Sequence, residues 1–392
     1  MFILYIILAI VILLFMVLVH EFGHYCVGRM LNFKITEFSV GFGKALFSRK
    51  NKRGELISLR IFPLGGYCAF EGEDDNADGK DSFNAQAPWK RILVFFAGVI
   101  FNFATAVVFS LILLCTLGYD IPQVVSFSIP TSSTSPQNGY IINNVEINSN
   151  IVNLNDEQLL QEGDVIISIN GEKIDFAYGA NYNDIITSQL NNAIAWAEEN
   201  NTTVANYPAL ELVVRRDGQY TTAYTGFSVI TRQKVLSSNQ EGEYELSEEE
   251  TVYSTGITAK AYVHSFTEAL QRCVPFAIGL AWIVLKSLWL LITLQLPISS
   301  IGGPITTITT IASFTQANFA NIFVLIPLIS ANLAIFNILP IPALDGSHVL
   351  FTTIEWIRKK PIKREVENLI HTIGLIVLFG AVILIDILHF LL

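Results

Sequence analysis

Residues 2–24 read FILYIILAIVILLFMVLVHEFGH, an uncharged run from Phe2 to Val19 followed at once by His20-Glu21-Phe22-Gly23-His24. The run is close to the ~18 apolar residues that mark a candidate membrane-spanning helix. On a helix, positions i and i+4 share a face, so His20 and His24 can hold one metal ion with Glu21 beside it as general base. Ionisable residues within a span are costly, and three on one turn call for a partner such as zinc. The plainer alternative is a helix end whose polar residues meet the lipid headgroups.

Composition fits this setting. Apolar residues make up 52% of the 392 and charged residues 15%, against roughly 25% charged in soluble domains. Further apolar segments fall at Ile92 to Tyr119, within the uncharged stretch Ser287 to Leu344, and at Asn368 to Ile385. Together with the first they predict a polytopic α-helical membrane protein of about four spans, the third taken as Ala320 to Ile341. Pro275 to Pro297 is long and apolar enough to cross, but Lys286 at its centre and the flanking Trp282 and Trp289 equally suit a helix lying in the interface.

Charge sets the expected orientation. Residues 25–91 carry 11 Lys/Arg against 8 Asp/Glu, and Arg358, Lys359, Lys360, Lys363 and Arg364 cluster after the third span. Both regions read as cytoplasmic by the positive-inside rule. Residues 119–270 carry 6 Lys/Arg against 20 Asp/Glu, an acidic surplus greater than the chain's net −10, and read as extracytoplasmic. The first helix then runs inward, with His20 and His24 towards its cytoplasmic end. The first apolar run has no basic leader and no small-residue cleavage site, so no cleavable signal is expected. Cys26, Cys68, Cys115 and Cys273 offer neither a disulfide framework nor zinc-ligand spacing.

Between the first two spans, Phe38 to Gly43 and Gly54 to Phe70 are short apolar runs punctuated by glycine and proline, which predicts β-hairpins. Abutting the histidine helix, they can dip into the membrane mouth, where non-helical backbone needs burial or a wet cavity. The acidic run Glu71 to Asp81 reads as a solvated loop, and Glu241 to Glu250 as a mobile exit loop. In Leu160 to Ile174, a Gly163-Asp164 turn leads into an apolar strand and an Asn170-Gly171 hairpin turn. Leu210 to Val214 followed by Arg215-Arg216-Asp217-Gly218 is a second strand and turn. A small β-rich domain is expected here.

Catalytic zinc generally takes three protein ligands plus water, so two histidines leave one to find. Asp345 ends the long uncharged stretch in Asn337-Ile338-Leu339-Pro340-Ile341-Pro342-Ala343-Leu344-Asp345-Gly346, whose prolines break the third span and let a carboxylate turn towards the first helix. His348 is a chemical rival three residues on. His371 and Asp386 belong to the last span, where snorkelling or interhelical bonding is the ordinary role. His264 and His389 have no supporting context.

With these motifs in this order, the chain resembles the bacterial site-2 proteases, the intramembrane zinc metalloproteases. The resemblance covers nearly the whole length: membrane His-Glu-x-x-His, Gly-Phe-Gly loop, Pro-Leu-Gly-Gly-Tyr segment, second span, outer PDZ domain, and Asn-x-x-Pro-x-Pro-x-Leu-Asp-Gly. It implies His20, His24 and Asp345 as zinc ligands, Glu21 as general base, and Asn337, Gly65, Gly66 and Tyr67 as substrate-contacting. It also implies a membrane-reentrant β-element at 54–70 and a PDZ core at Leu160 to Ile174. Two departures stand out: the family's Ala-Gly-Pro-x-x-Asn is Ala97-Gly98-Val99-Ile100-Phe101-Asn102, and Asp-Gly-Gly-His is Asp345-Gly346-Ser347-His348.

The expected organisation is an N-terminal membrane catalytic part at 1–118 and an extracytoplasmic PDZ-like domain at 119–265. A linker with an amphipathic or membrane-associated helix follows at 266–318, then a C-terminal membrane catalytic part at 319–392. The expected reaction is zinc-dependent cleavage within transmembrane segments of single-span proteins, pre-cleaved by another protease, as the second cut of regulated intramembrane proteolysis. Anti-sigma factors and signal-peptide remnants are the substrate types implied, and no nucleic-acid partner is expected. The alternative is a membrane scaffold or chaperone with a structural zinc, against which the retained Glu21 argues. A transporter finds no internal repeat to support it.

Overall fold

A computed structural model describes residues 2–73, 82–128, 131–174, 181–238, 244–295 and 302–391. The chain divides into two compact units, one of residues 1–113 and 268–392, the other of residues 114–267.

The first unit opens with α1 (Phe2–Met30), which continues well past the apolar run, so the histidine motif lies inside a helix and not at its end. Two long strands follow, β1 (Ile35–Lys50) and β2 (Leu56–Phe70), then α2 (Pro88–Thr116). The two strands pair antiparallel as one long hairpin, in keeping with the β-hairpin pattern of the sequence. Glu37–Val40 pairs with Leu56–Leu59 and also with Gly66–Ala69, so β1 forms the middle of a small curled sheet and the element begins at Ile35, not at Gly54. Its interior is polar: Arg60 donates to Glu37 (2.7 Å), Ser39 (3.0 Å) and the Gly43 carbonyl (2.6 Å). Its side chains Leu46, Phe47, Leu59 and Ile61 are exposed, as suits an element surrounded by lipid or apolar protein. The acidic run beyond Glu73 lies outside the described residues up to Asp81.

The second unit holds β3 (Pro122–Phe127), β4 (Ser133–Gln137), β5 (Tyr140–Glu146), β6 (Val165–Ile169), β7 (Glu172–Lys173), α3 (Tyr182–Glu199), β8 (Leu210–Arg216), β9 (Gln219–Thr225), β10 (Ser228–Ser238), β11 (Tyr244–Leu246), β12 (Glu250–Ser254) and β13 (Ile257–Ala261). One sheet runs β13-β3-β6-β8-β9 with β7 on β6, the other β11-β10-β5-β4 with β12 on β10. Asn170-Gly171 and Asp217-Gly218 each take positive φ at both residues, the mark of two-residue hairpin turns. The Asp164 expected in a simple turn is buried and bound by both arms of Arg216, at 2.8 and 2.7 Å. Ile185, Ala193 and Ala197 of α3 pack with Ile166, Ile169 and Leu212. The acidic exit loop is a correction: Tyr244–Leu246 and Glu250–Ser254 are strands, drawn in by pairing with β10, and only residues 241–243 lie outside the description. His264, without context in the sequence, contacts Asp120 at 2.7 Å with both side chains buried.

The first unit resumes with α4 (Phe266–Ile292), α5 (Pro304–Ala317), α6 (Ile322–Ile338), α7 (Asp345–Arg358) and α8 (Arg364–Leu391). The expected linker thus contains a full-length apolar helix, and among the described residues five helices are long and apolar enough to cross a membrane. The third span stops at Ile338 and not at Ile341, because Leu339, preceding Pro340, is extended. Ala9, Ile12 and Met16 of α1 form a core with Ile311 of α5 and Ile326 of α6. Asp386 does bond between helices, capping α5: it accepts from Ile305 N–H (3.0 Å), Thr306 N–H (3.2 Å) and the Thr306 hydroxyl (2.9 Å).

Candidate metal centre

The crossing of α1 and α2 depends on two glycines. A Cβ on Gly23 would stand 2.6 Å from the Ala97 carbonyl oxygen, and one on Gly98 would stand 2.4 Å from His20 Cε1 and 2.6 Å from His24 Nε2. The Gly23 of His-Glu-x-x-His therefore serves the packing, and the backbone of α2 lies directly against both imidazoles.

Helix α2 also orients those rings. His24 donates from Nδ1 to the Val94 carbonyl at 2.8 Å, which leaves its Nε2 lone pair free. Asn102, fully buried, has its amide 3.2 Å from His20 Nδ1, and its Oδ1 has no other partner. With Oδ1 turned to the ring, His20 Nδ1–H donates and its Nε2 is freed in turn. Ser330 of α6 holds the Asn102 carbonyl at 2.8 Å.

The two Nε2 atoms are 3.2 Å apart, and Asp345 Oδ2 lies 2.8 Å from His20 Nε2 and 3.4 Å from His24 Nε2. Three converging donors, two imidazoles with their far nitrogens engaged and one carboxylate, make a set that fits a tetrahedral zinc with an open fourth position. Asp345 reaches it because α6 ends before Pro340 and α7 starts at Asp345 itself. Gly346 permits the turn, since a Cβ there would stand 2.3 Å from the Ile338 and Leu339 carbonyls.

Of the other expected residues, Glu21 faces β2: its Cγ would be 3.1 Å from a Cβ on Gly66, and the Cys68 N–H is directed to its carboxylate. Gly65, with φ +128°, is covered by the Phe42 ring. Tyr67 turns into the curled sheet, stacked on Phe42 with Arg60 over its ring, so its side chain does not join Glu21. Asn337 is half-buried on the last turn of α6.

The rival His348 is not in the triad. It stacks on His371 at 4.0 Å and lies 3.7 Å from Glu367. These three form a second cluster of potential ligands, but His371 Nδ1 accepts the Ala343 N–H at 3.0 Å. In the neutral ring the proton is then on Nε2, which has no lone pair to offer a metal.

A profile of Peptidase family M50 matches residues 8–381. The chain belongs to peptidase family M50. A protein of Campylobacter jejuni, provisionally named a zinc metalloprotease, is 29% identical over 91% of this chain and 86% of its own. One of Clostridium perfringens, named likewise, is 27% identical over 98% and 97%, and one of Neisseria meningitidis is 27% identical over 91% and 92%. M50 is the site-2 protease family, so the protein is a zinc-dependent metalloendopeptidase, and its apolar helices make it a membrane protein. Sequence reasoning gave Gly98 and Asn102 no role at the centre, whereas His371 makes the kind of bond between elements expected of it. The signal at Gly98 and Asn102 was a small or polar residue within an otherwise apolar span.

Proposed function

We propose that this M50 peptidase is an intramembrane endopeptidase that hydrolyses a peptide bond within or near a transmembrane segment, with His20, His24 and Asp345 holding zinc and Glu21 as general base. The observation that carries this reading is the convergence of the three donors inside an apolar helix bundle, with Glu21 beside them against β2. When bound there, zinc supplies Lewis-acid polarisation and an activated water. Glu21 takes a proton from the attacking water and returns it to the leaving amine. The Asn337 amide donates to the developing oxyanion. Gly65 to Phe70 of β2, which borders Glu21, receives the substrate as an added strand. A helical substrate must unwind before cleavage, and the strand edge gives its freed backbone groups new partners.

Residues 114–267 act as a PDZ-like extracytoplasmic domain that excludes intact ectodomains, so the substrates are single-span proteins already shortened by another protease. The active site opens towards the cytoplasmic side of the inner membrane, consistent with the basic residues of 25–91 and 358–364. Anti-sigma factors and signal-peptide remnants are the substrate types in view.

In this arrangement α4 does not complete a crossing. Helix α2 is antiparallel to α1, since His24 meets Val94 and His20 meets Asn102. Its end therefore returns to the level of the α1 N-terminus, where His264 N–H meets the Leu114 carbonyl and α4 begins. His371 stands level with Ala343, and Asp386 lies about 22 Å further along α8, so the α5 cap is again on the α1 N-terminal side. Were α4 upright, Gln295 would sit on the opposite side. From there to Gly303 the chain spans at most about 28 Å, short of a ~30 Å hydrocarbon core.

The test is cleavage of a tagged single-span substrate in membranes. Wild type yields product, Glu21→Gln retains zinc without yielding product, and chelation abolishes cleavage. Unchanged cleavage by Glu21→Gln would remove the mechanism.

A further inference from the structure

Between the last residue of α6 and the first of α7, the chain makes a turn on which the direction of the Asp345 carboxylate depends. Leu339 is extended, Ile341 N–H donates to the Leu339 carbonyl at 2.7 Å, and Leu344 N–H to that of Ile341 at 3.1 Å. Ala343, two residues before Asp345, has φ +78°. That region is uncommon for a residue other than glycine, asparagine or aspartate, and alanine has no side-chain bond with which to hold it.

What holds it comes from α8. The Ala343 N–H donates to His371 Nδ1 at 3.0 Å. One helical turn on, a Cβ at Gly374 would stand 2.3 Å from Pro342 Cβ, so the backbone of α8 touches the turn there. The imidazole is itself fixed, stacked on His348 at 4.0 Å and 10°, with Phe351 tilted against it at 5.5 Å. His348 in turn stacks on Phe95 of α2 at 5.0 Å, next to the Val94 whose carbonyl orients His24. A continuous stack therefore links the turn that carries Asp345 to the helix that orients both histidines.

We infer that His371 is a positioning residue of the metal centre: by accepting the Ala343 N–H it holds the left-handed turn that aims Asp345 at His20 and His24. The inference rests on the proposed zinc ligation. Without the acceptor Ala343 relaxes to an ordinary conformation, and rotation so close to Asp345 moves its oxygen by far more than the ~0.2 Å a zinc site tolerates.

The test is zinc affinity of the purified full-length protein in detergent, by chelator competition and metal counting, with the melting temperature followed alongside. His371→Leu weakens zinc binding about 10- to 100-fold, the usual effect of losing a group that orients a ligand. His371→Asn, whose Oδ1 stands where Nδ1 stood, stays within about threefold, while His371→Gln, whose amide reaches the Nε2 position, behaves as Leu. Ala343→Gly, free to hold positive φ, restores part of the loss in His371→Leu. Equal zinc loss in the Leu and Asn variants, or wild-type affinity in Leu, overturns the inference. If His371→Leu does not fold, the contrast between Asn and Gln decides. Asp345→Ala is the separate control: if it keeps zinc, the ligand assignment itself fails, and if it loses zinc while His371→Leu keeps it, only the role of His371 fails.

Discussion

Replacing Gly98 by alanine tests the closeness of α2 to the metal centre, because two effects of opposite sign compete. Alanine is the better helix former by about 1 kcal/mol, so a sterically free site would gain stability or stay neutral. At Gly98, however, the new methyl would sit 2.4 Å from His20 Cε1, 2.6 Å from His24 Nε2 and 2.7 Å from His20 Nδ1. Ordinary contact begins near 3.4 Å, so the rings and α2 must separate by about 1 Å. That shift also carries Val94 and Asn102 away from the imidazoles they orient. Zinc affinity should fall about 10- to 100-fold, or ~1.4–2.7 kcal/mol, and cleavage by about 100-fold. Gly380 of α8, where nothing lies within 4 Å of the added Cβ, provides the control. Chelator competition and substrate cleavage on wild type, Gly98→Ala and Gly380→Ala give the answer. Wild-type zinc affinity and cleavage in Gly98→Ala would refute the packing argument, as would equal damage from Gly380→Ala.

Other expectations follow from the same structure. Arg91 and Glu355, both 6% exposed and 2.8 Å apart, pair α2 with α7; Arg91→Met should cost about 3–5 kcal/mol, and adding Glu355→Gln should recover much of it, as thermal unfolding would show. Burial holds the Tyr182 phenol up at about 12 against an ordinary 10.0. A raised folded pKa gives stability that is fully present below pH 10 and is lost as pH rises through 12, about 2–3 kcal/mol in all; hydrogen exchange over 114–267 should show this alkaline loss in wild type and not in Tyr182→Phe. If α4 does not cross, a cysteine at Leu294, which is 81% exposed, in a background without the native four should label from the same membrane side as one at Tyr220; labelling from the opposite side would show that it crosses.

The histidine motif and the Asp345 turn were legible because each breaks a long uncharged run, and a costly residue in an apolar setting has to be compensated. The hairpin turns at Asn170-Gly171 and Asp217-Gly218 were legible because their φ requirement is local. The curled sheet was not. Each of its runs has a plain strand pattern, and only the three-dimensional register shows Glu37–Val40 paired on two sides. The β11 and β12 strands were hidden by their acidity: Glu245 and Glu250 look like loop residues until Ser237 and Arg232 of β10 are set beside them. The distinction between Asp345 and His348 was likewise tertiary, since their spacing from the first helix is equivalent in sequence.

The geometry assigns α2 a role that composition alone would give to any span. Its Gly98 admits the imidazoles, its Val94 carbonyl and Asn102 amide fix their far nitrogens, its Phe95 begins the ring stack that reaches Asp345's turn, and Arg91 ties it to α7. Because side chains on a helix are held by one backbone, a displacement of α2 changes all of these together. The proposed zinc ligands on α1 and α7 are thus kept in register by a helix that carries none of them. This explains how the chain can lack the proline of the family's Ala-Gly-Pro-x-x-Asn and keep the site: the contacts are made by Gly98 and Asn102, which remain, whereas Val99 occupies the proline position within an uninterrupted helix. Residues that orient ligands across a helix crossing are therefore where this metal centre is most sensitive outside the ligands themselves.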